Sequence, residues 1–409
     1  MAELFTNNFG DMKRACIPFL LGIPLFVSAQ TWQQLPDFPG TARDDAASFG
    51  YECYAYVGTG MEVGWSLTND WWRFDVSDGS WESIAALPAS PRQYCASHTT
   101  TEGGFLFGGL DATGPLNELW FYSFTSGQWE SRAPLPAPGR YACSAFGNYN
   151  ELFIVAGLFV DGSATNELWE YDLQGDEWTL RSSVPGIGRH RAASCNLGQY
   201  NYLFGGANAD YNPLDESWRY DSDNDLWLEL APLPDARYSA SALSFGQGVV
   251  NFCGVDGAGA TRSDGFQYIS QSDSWVPWQY DFVGPRRSGV LLHTLPCTGF
   301  PCYFFGMGYD GNERHKDWFS LCPATGIDEP SGAFLSLFPN PANDLIQITT
   351  DQSFAGSCVT IFDASGQLVA ERSLPANGSL NVEALAAGSY VISVRSADRI
   401  RTARFFKLP

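Results

Sequence analysis

The 409-residue sequence is poor in charge, in histidine and in methionine. Asp, Glu, Lys and Arg together make up 17%, with only four His and four Met. The histidines His98, His190, His293 and His315 are far apart, which leaves little for an imidazole metal centre. No Cys-x-x-Cys pair occurs among the ten cysteines, which argues against a zinc knuckle or a thiol redox motif. No Gly-x-Ser-x-Gly elbow announces a serine nucleophile. The stretch Asp221-Ser222-Asp223-Asn224-Asp225 imitates the start of a calcium loop, but Leu226 replaces the glycine that loop requires, so it reads as a solvated turn. No metal site and no cofactor is expected. Long apolar runs and amphipathic helical periodicity are missing too, so no transmembrane segment is expected.

Basic residues are scarce: 23 Lys and Arg stand against 45 Asp and Glu, for a net charge of −22. The excess lies in residues 30–329, with 37 acidic and 15 basic side chains. A field of that sign repels phosphate backbones and anionic membrane surfaces, so nucleic acid is not expected as a partner.

What the sequence does have is aromatics (15%), 42 Gly and 24 Pro. Aromatic and β-branched runs between frequent Gly/Pro turn signals imply many short strands and an all-β chain. Near the start, Lys13 and Arg14 precede an apolar stretch from Ile17 to Val27, and Val27-Ser28-Ala29 resembles a small-residue cleavage site. Residues 1–29 are therefore expected to be a signal peptide, with Met12 as the true start because residues 1–11 are acidic and polar.

Internal periodicity decides the fold. Trp32, Trp81, Trp129, Trp178, Trp227 and Trp275 recur at intervals of 49, 48, 49, 49 and 48 residues. In most copies a Leu-Pro or Val-Pro pair follows, as at Leu35-Pro36, Leu87-Pro88 and Val184-Pro185. An arginine comes next: Arg43, Arg92, Arg140, Arg189, Arg237 and Arg286. A segment of tiny residues then leads to an apolar run ending in glycine, as at Gly108-Gly109 and Gly205-Gly206. An acidic-aromatic segment such as Asn117-Glu118-Leu119-Trp120 completes each copy.

This repeat resembles the kelch motif, which implies four strands per blade and a six-bladed β-propeller over residues 30–327. Tiny residues suit innermost strands that converge on one axis, where large side chains would collide. The chain opens on the last-strand signature Trp32 to Pro36, and the sixth copy ends at Trp318-Phe319 without a trailing Trp. The N-terminal strand should therefore complete blade six and remove the open edge.

Beyond a linker at 328–336, residues 337–409 lose the repeat. Phe338-Pro339-Asn340-Pro341, Val359-Thr360-Ile361-Phe362-Asp363 and Gly388-Ser389-Tyr390-Val391 lie in short strands separated by turns, as in a small immunoglobulin-like β-sandwich. The set resembles the C-terminal type A sorting domain of type IX secretion in Bacteroidota. That resemblance implies a partner in the secretion machinery and a secreted or outer-membrane-surface location. Export permits disulfides. The Cys297–Cys302 pair, bracketing a short Thr-Gly-Phe-Pro segment, is expected to form one.

The six arginines are the first site candidates. Equivalent positions in six blades form a ring, which can make a positive well for a carboxylate, sulfate or uronate at the propeller mouth. Alternatively each arginine ties blade to blade. The next residue in each copy varies (Asp44, Gln93, Tyr141, His190, Tyr238, Arg287), and Tyr141, His190 and Tyr238 come from consecutive blades. These groups suit a polar ligand. The expected function is a monomeric surface or secreted binding module for a glycan or protein partner. The alternative is a sugar-modifying enzyme resembling N-acetylneuraminate epimerase, another six-bladed kelch protein.

Overall fold

In a computed structural model the described residues run from 31 to 407, apart from 246–247, 295–301, 323–334, 339–341, 343, 351–357, 364–366, 376 and 396–399. The expected signal peptide, Cys297, most of the linker and the Pro339-Asn340-Pro341 motif lie outside the described residues. The chain divides into two compact units, residues 1–324 and 325–409.

The first unit contains six four-stranded antiparallel sheets. Blade one is Ala47–Tyr51, Tyr54–Gly58, Trp71–Asp75 and Ser80–Ile84. Blades two to five repeat that meander, their innermost strands being Ala96–Thr99, Ser144–Phe146, Ala193–Leu197 and Ser241–Phe245. Blade six takes Val290–Thr294, Cys302–Gly306 and Trp318–Leu321 from the end of the repeat and Gln33–Leu35 from its beginning. Gln33 pairs with Ser320 and Leu35 with Trp318, so the ring closes by strand pairing between its two ends. The fold is a six-bladed β-propeller.

Each marker of the repeat has a mechanical reason. The recurring tryptophans donate their indole N–H to a carbonyl just past the outermost strand of the preceding blade. Trp81 reaches Pro36, Trp129 Ala85, Trp178 Ala133, Trp227 Ser182 and Trp275 Ala231, over 2.7–3.1 Å. Trp32 closes that circle on Tyr280 at 3.0 Å. The ring faces meanwhile fill the wedge between blades, as Trp129 does against Trp71 and Tyr122. Near the axis the small residues let neighbouring blades approach closely enough for side-chain-to-backbone bonds. Ser97 Oγ donates to the Ser48 carbonyl (2.8 Å) and Ser194 Oγ to that of Ala145 (2.8 Å).

The glycine signal follows the second strand, where two consecutive residues adopt left-handed backbone: Thr59-Gly60, Gly108-Gly109, Ala156-Gly157, Gly205-Gly206, Cys253-Gly254 and Met307-Gly308. The first position tolerates a side chain. The second is always glycine and its N–H donates to the carbonyl of the next blade's arginine, as from Gly60 to Arg92 at 2.8 Å and, closing the ring, from Gly308 to Arg43 at 2.9 Å. A Cβ on Gly206 would lie 2.8 Å from the His190 carbonyl oxygen, so that close approach excludes any other residue.

One disulfide departs from expectation. Cys302 is bonded to Cys322, not to Cys297, with Cα atoms 4.3 Å apart. Strand register decides this: Tyr303 faces Leu321, so Cys302 and Cys322 are the next facing pair of the same antiparallel ladder.

The second unit is a β-sandwich. Leu335–Phe338, Leu345–Thr350 and Ser379–Asn381 form one sheet; Leu368–Ser373, Cys358–Asp363, Gly388–Arg395 and Ile400–Lys407 form the other. Alternate residues of both, including Ile346, Ile348, Leu380, Val359, Ile361, Ile392 and Phe405, supply a common apolar core.

Candidate functional site

The six arginines do not form an open ring. All are between 0 and 5% exposed. Each reaches a carboxylate before the third strand of its own blade: Arg43 to Asp70 (2.5 Å), Arg92 to Glu118 (2.8 Å), Arg140 to Glu167 (2.9 Å) and Arg237 to Asp264 (3.7 Å). Arg189 with Glu216 and Arg286 with Asp317 pair in the same way. Several also donate to the carbonyl that precedes the constrained glycine, such as Arg43 to Thr59 and Arg237 to Cys253, both at 3.1 Å. At Asp70 burial alone would raise the carboxyl, but the hydrogen bonds and charge of Arg43 outweigh it and hold the pKa low. The guanidiniums are thus buried intra-blade ties. This corrects the expectation that they line the mouth.

Two residues beyond each arginine, the backbone turns left-handed in every blade: Asp45, Tyr94, Ala142, Arg191, Ser239 and Ser288 have φ between 49° and 57°. Their amides make a closed circle. Asp45 N–H donates to the Ser288 carbonyl (3.3 Å), Tyr94 to Asp45 (3.2 Å), Ala142 to Tyr94 (3.0 Å), Arg191 to Ala142 (2.9 Å), Ser239 to Arg191 (2.9 Å) and Ser288 to Ser239 (3.0 Å). The circle surrounds the axis at the end where the innermost strands begin. A cavity of about 350 Å³ fills the channel towards their other ends, lined by Ser48, Ser97, Ser194 and Leu291 among others. Several of its serine hydroxyls are taken by the inter-blade bonds described above.

On this uniform backbone the side chains differ from blade to blade. The Arg191 guanidinium carbon lies 4.5 Å from the centre of the Tyr94 ring and 5.3 Å from that of Tyr211. Burial works against its charge, but Tyr94 and Asp45 nearby hold its pKa above the usual value. His190 is fully buried. Its Nε2 is 3.0 Å from the Asn208 carbonyl and its Nδ1 3.1 Å from Arg191 Nη1. Both contacts are hydrogen bonds only if neutral His190 donates from Nε2 and accepts at Nδ1. Burial, with the Arg191 charge, lowers its pKa to about 4, which agrees with that neutral form. Asp45 is the acidic counterpart: burial and the neighbouring Asp44 push its carboxyl up to about 6, against the pull of Arg191, Ser288 and Arg287.

Tyr141, His190 and Tyr238 meet through a residue the sequence reading passed over. Tyr211 packs edge-on to His190 (4.7 Å between ring centres) and to Tyr238 (6.5 Å), and its hydroxyl interacts with that of Tyr141. Tyr141 also lies 5.8 Å from Tyr94. Tyr141 and Tyr238 are partly exposed, whereas His190 acts from beneath as a positioning group for Arg191. Asp44 is buried, and its Oδ1 accepts from Arg314 Nε at 2.6 Å. Arg287 stacks on Tyr309 at 4.6 Å. Asp45, Tyr94 and Arg191 were missed because their position carries no common side chain. The signal available was their offset, two residues past a recurring arginine.

Among the described residues Asp310, Glu313 and His315 bring three ligand atoms within 4.8 Å of one another. The Asp310 carboxylate, however, caps its own loop through the amides of Asn312 (2.7 Å) and Glu313 (2.8 Å). Asp111, Asp161 and Asp256 do the same in other blades, so the acid at this position is a loop device.

The fold and the tail together define an exported propeller. Residues 336–407 match the family described as "Secretion system C-terminal sorting domain", which marks the chain for type IX secretion to the cell surface or beyond. A solved structure entitled "Structure of YjhT" is similar over 78% of this chain and 99% of that one, with a TM-score of 0.60 and 16% identity. At that identity the likeness speaks for the fold alone. No curated protein sequence matches the chain.

Proposed function

We propose that this is a monomeric binding module of the kelch class, carried to the cell surface or released, that recognises a glycan or protein partner at the propeller mouth. Residues 1–29 would serve the inner membrane and the sorting sandwich the outer one, as in Bacteroidota. The observation that carries the reading is the contrast at the mouth. Six identical backbone turns present side chains as unlike as Asp45, Tyr94, Ala142 and Arg191, and Tyr141, Tyr211 and Tyr238 gather beside them on one rim. Arg191 is the one cation of the innermost circle and is only partly buried, so its charge can favour a carboxylate or another strongly polar group at the mouth. The test is a glycan array with the full chain, repeated with Arg191→Gln and Tyr238→Ala. Selective loss of array binding in both variants, with unchanged melting, supports the mouth. Retained binding in both places the site elsewhere.

A second reading, a sugar-modifying enzyme, rests on Asp45. A carboxyl with a pKa of about 6 beside an arginine and a tyrosine is poised to give and take a proton near neutral pH. Faster equilibration of sugar anomers by the wild-type chain than by Asp45→Asn, followed by NMR, would favour it.

A further inference from the structure

In four blades the loop between the second and third strands contains a turn closed by a left-handed residue. In blades one, three, four and five this residue donates its N–H to the carbonyl three positions back. The pairs are Trp65 to Glu62 (3.1 Å), Gly162 to Phe159 (3.1 Å), Tyr211 to Asn208 (2.9 Å) and Gly259 to Asp256 (3.0 Å). Their φ angles are 67°, 81°, 62° and 79°. Blades two and six build the loop differently, with Gly114 and Gly311 at φ of 136° and 107°. Blades three and five therefore fill this turn with the residue that adopts its conformation without strain. Blades one and four, which stand opposite each other in a ring of six, use large aromatics instead.

Packing compensates only in part for that choice. A bulky residue held left-handed costs about 1–2 kcal/mol, and neither ring is buried to recover it: Trp65 is 77% exposed and Tyr211 48%. Both rings nevertheless have a guanidinium packed against them. The Arg314 guanidinium carbon lies 4.6 Å from the Trp65 ring centre, and Arg314 is fixed by the buried Asp44. Arg191 lies 5.3 Å from the Tyr211 ring centre and is fixed by His190. The packed guanidiniums hold the rings in place and leave ring surface to solvent. Backbone strain at two aromatics that are propped from one side and still expose ring surface marks positions kept for a ligand.

We infer that Trp65 and Tyr211 are paired stacking platforms on opposite sides of the mouth, and that the ligand is an oligosaccharide whose sugar rings lie against them. This rests on the mouth being the binding site. A flat C–H face edged by hydroxyls fits an exposed aromatic among polar neighbours. A basic peptide, which the overall charge of −22 would otherwise attract, would set its cation against ring faces that already carry a guanidinium.

Because blades three and five carry glycine at the same turn, Trp65→Gly and Tyr211→Gly remove the platforms without disturbing the turn. The full chain is titrated calorimetrically with hexasaccharides of glucose, xylose, mannose, N-acetylglucosamine and galacturonate. At least one should bind. Each glycine variant should weaken that binding about tenfold, and the double variant about a hundredfold. Melting temperatures should stay within about 2 °C of the parent. Loss of several degrees in both variants would make the aromatics structural and overturn the inference. Unchanged affinity in both, alongside lost affinity in Arg191→Gln, would remove the platforms while leaving the mouth as the site. If no saccharide binds the parent chain, the glycan assignment falls.

Discussion

The indole N–H of Trp32 donates to the carbonyl oxygen of Tyr280 across 3.0 Å, joining the first strand of the propeller to the end of blade five. The ring of Trp32 also packs against Phe252, Trp278, Phe282 and Phe305, so one residue near the chain start closes both a hydrogen-bond circle and an aromatic wedge. Trp32→Ala should therefore cost about 3–5 kcal/mol, the range for a buried large aromatic. Urea unfolding of the purified propeller measures it. A loss below about 1 kcal/mol would mean the N-terminal strand does not hold the closure.

The repeated features were legible because each is made by one residue type at one spacing. The tryptophan interval gave the blade count, and the missing trailing Trp after Trp318 pointed to Trp32 as its replacement. The arginines were legible as positions but not as environments. Their partners lie 26 to 31 residues further on, and one acid recurs for each arginine, as Glu167 does for Arg140 and Glu216 for Arg189. That one-to-one balance was the overlooked sign of a tie. Cys302 shows a second limit. Closeness in sequence favoured Cys297, whereas ladder register placed Cys322 opposite. Nothing in the repeat singles out Trp65 and Tyr211; only the backbone shows them at the turn that Gly162 and Gly259 fill in blades three and five.

Arg189→Ala separates tie from site. Removing the guanidinium leaves Glu216 without its charged partner and frees the carbonyl of Gly205, which accepts from Arg189 at 3.4 Å. Glu216 is partly exposed and keeps the Trp218 indole as a donor, so losing the charged hydrogen bond costs about 1.5–3 kcal/mol. Thermal melts should show that loss, while affinity for any mouth ligand, measured below the melting range, stays within about twofold. A stable variant with lost binding would restore the open-ring picture.

Two groups at the mouth give stability opposite pH dependences. Asp45, with its folded pKa raised from 3.8 to about 6, binds a proton more tightly when folded, so its contribution to stability falls as pH rises from about 4 to about 6. His190, lowered from 6.5 to about 4, binds a proton less tightly when folded, so its contribution rises between about pH 4 and 6.5. Each limb is on the order of 3 kcal/mol, and in the parent chain they largely offset each other. Asp45→Asn should expose the rising limb and His190→Gln the falling one. Unfolding midpoints in urea, collected from pH 4 to 7, show whether the slopes separate with those signs; equal slopes in both variants would contradict the assignment.

The paired left-handed residues after each second strand supply the most local test. Ala156 and Gly157 stand side by side with φ of 64° and 113°. The first angle lies in the region an ordinary side chain reaches at modest cost, and Thr59, Cys253 and Met307 occupy the same place in other blades. At Gly157 an added Cβ would lie 2.4 Å from the sulfur of Cys143 and 3.2 Å from the Tyr141 carbonyl oxygen. The Gly157 amide also carries the bond to Arg189 of the next blade, 2.9 Å long. Gly157→Ala must therefore push the end of blade three's second strand away from the Tyr141–Cys143 segment and loosen the link to blade four. It should destabilise the propeller by about 2–4 kcal/mol, combining strain with overpacking. Ala156→Gly should change stability by less than about 1 kcal/mol, since strain relief offsets the added freedom of the unfolded chain. Urea midpoints of the two variants measure the contrast. Comparable losses from both would show that the spacing of blades, rather than backbone geometry at the second position, requires the glycine.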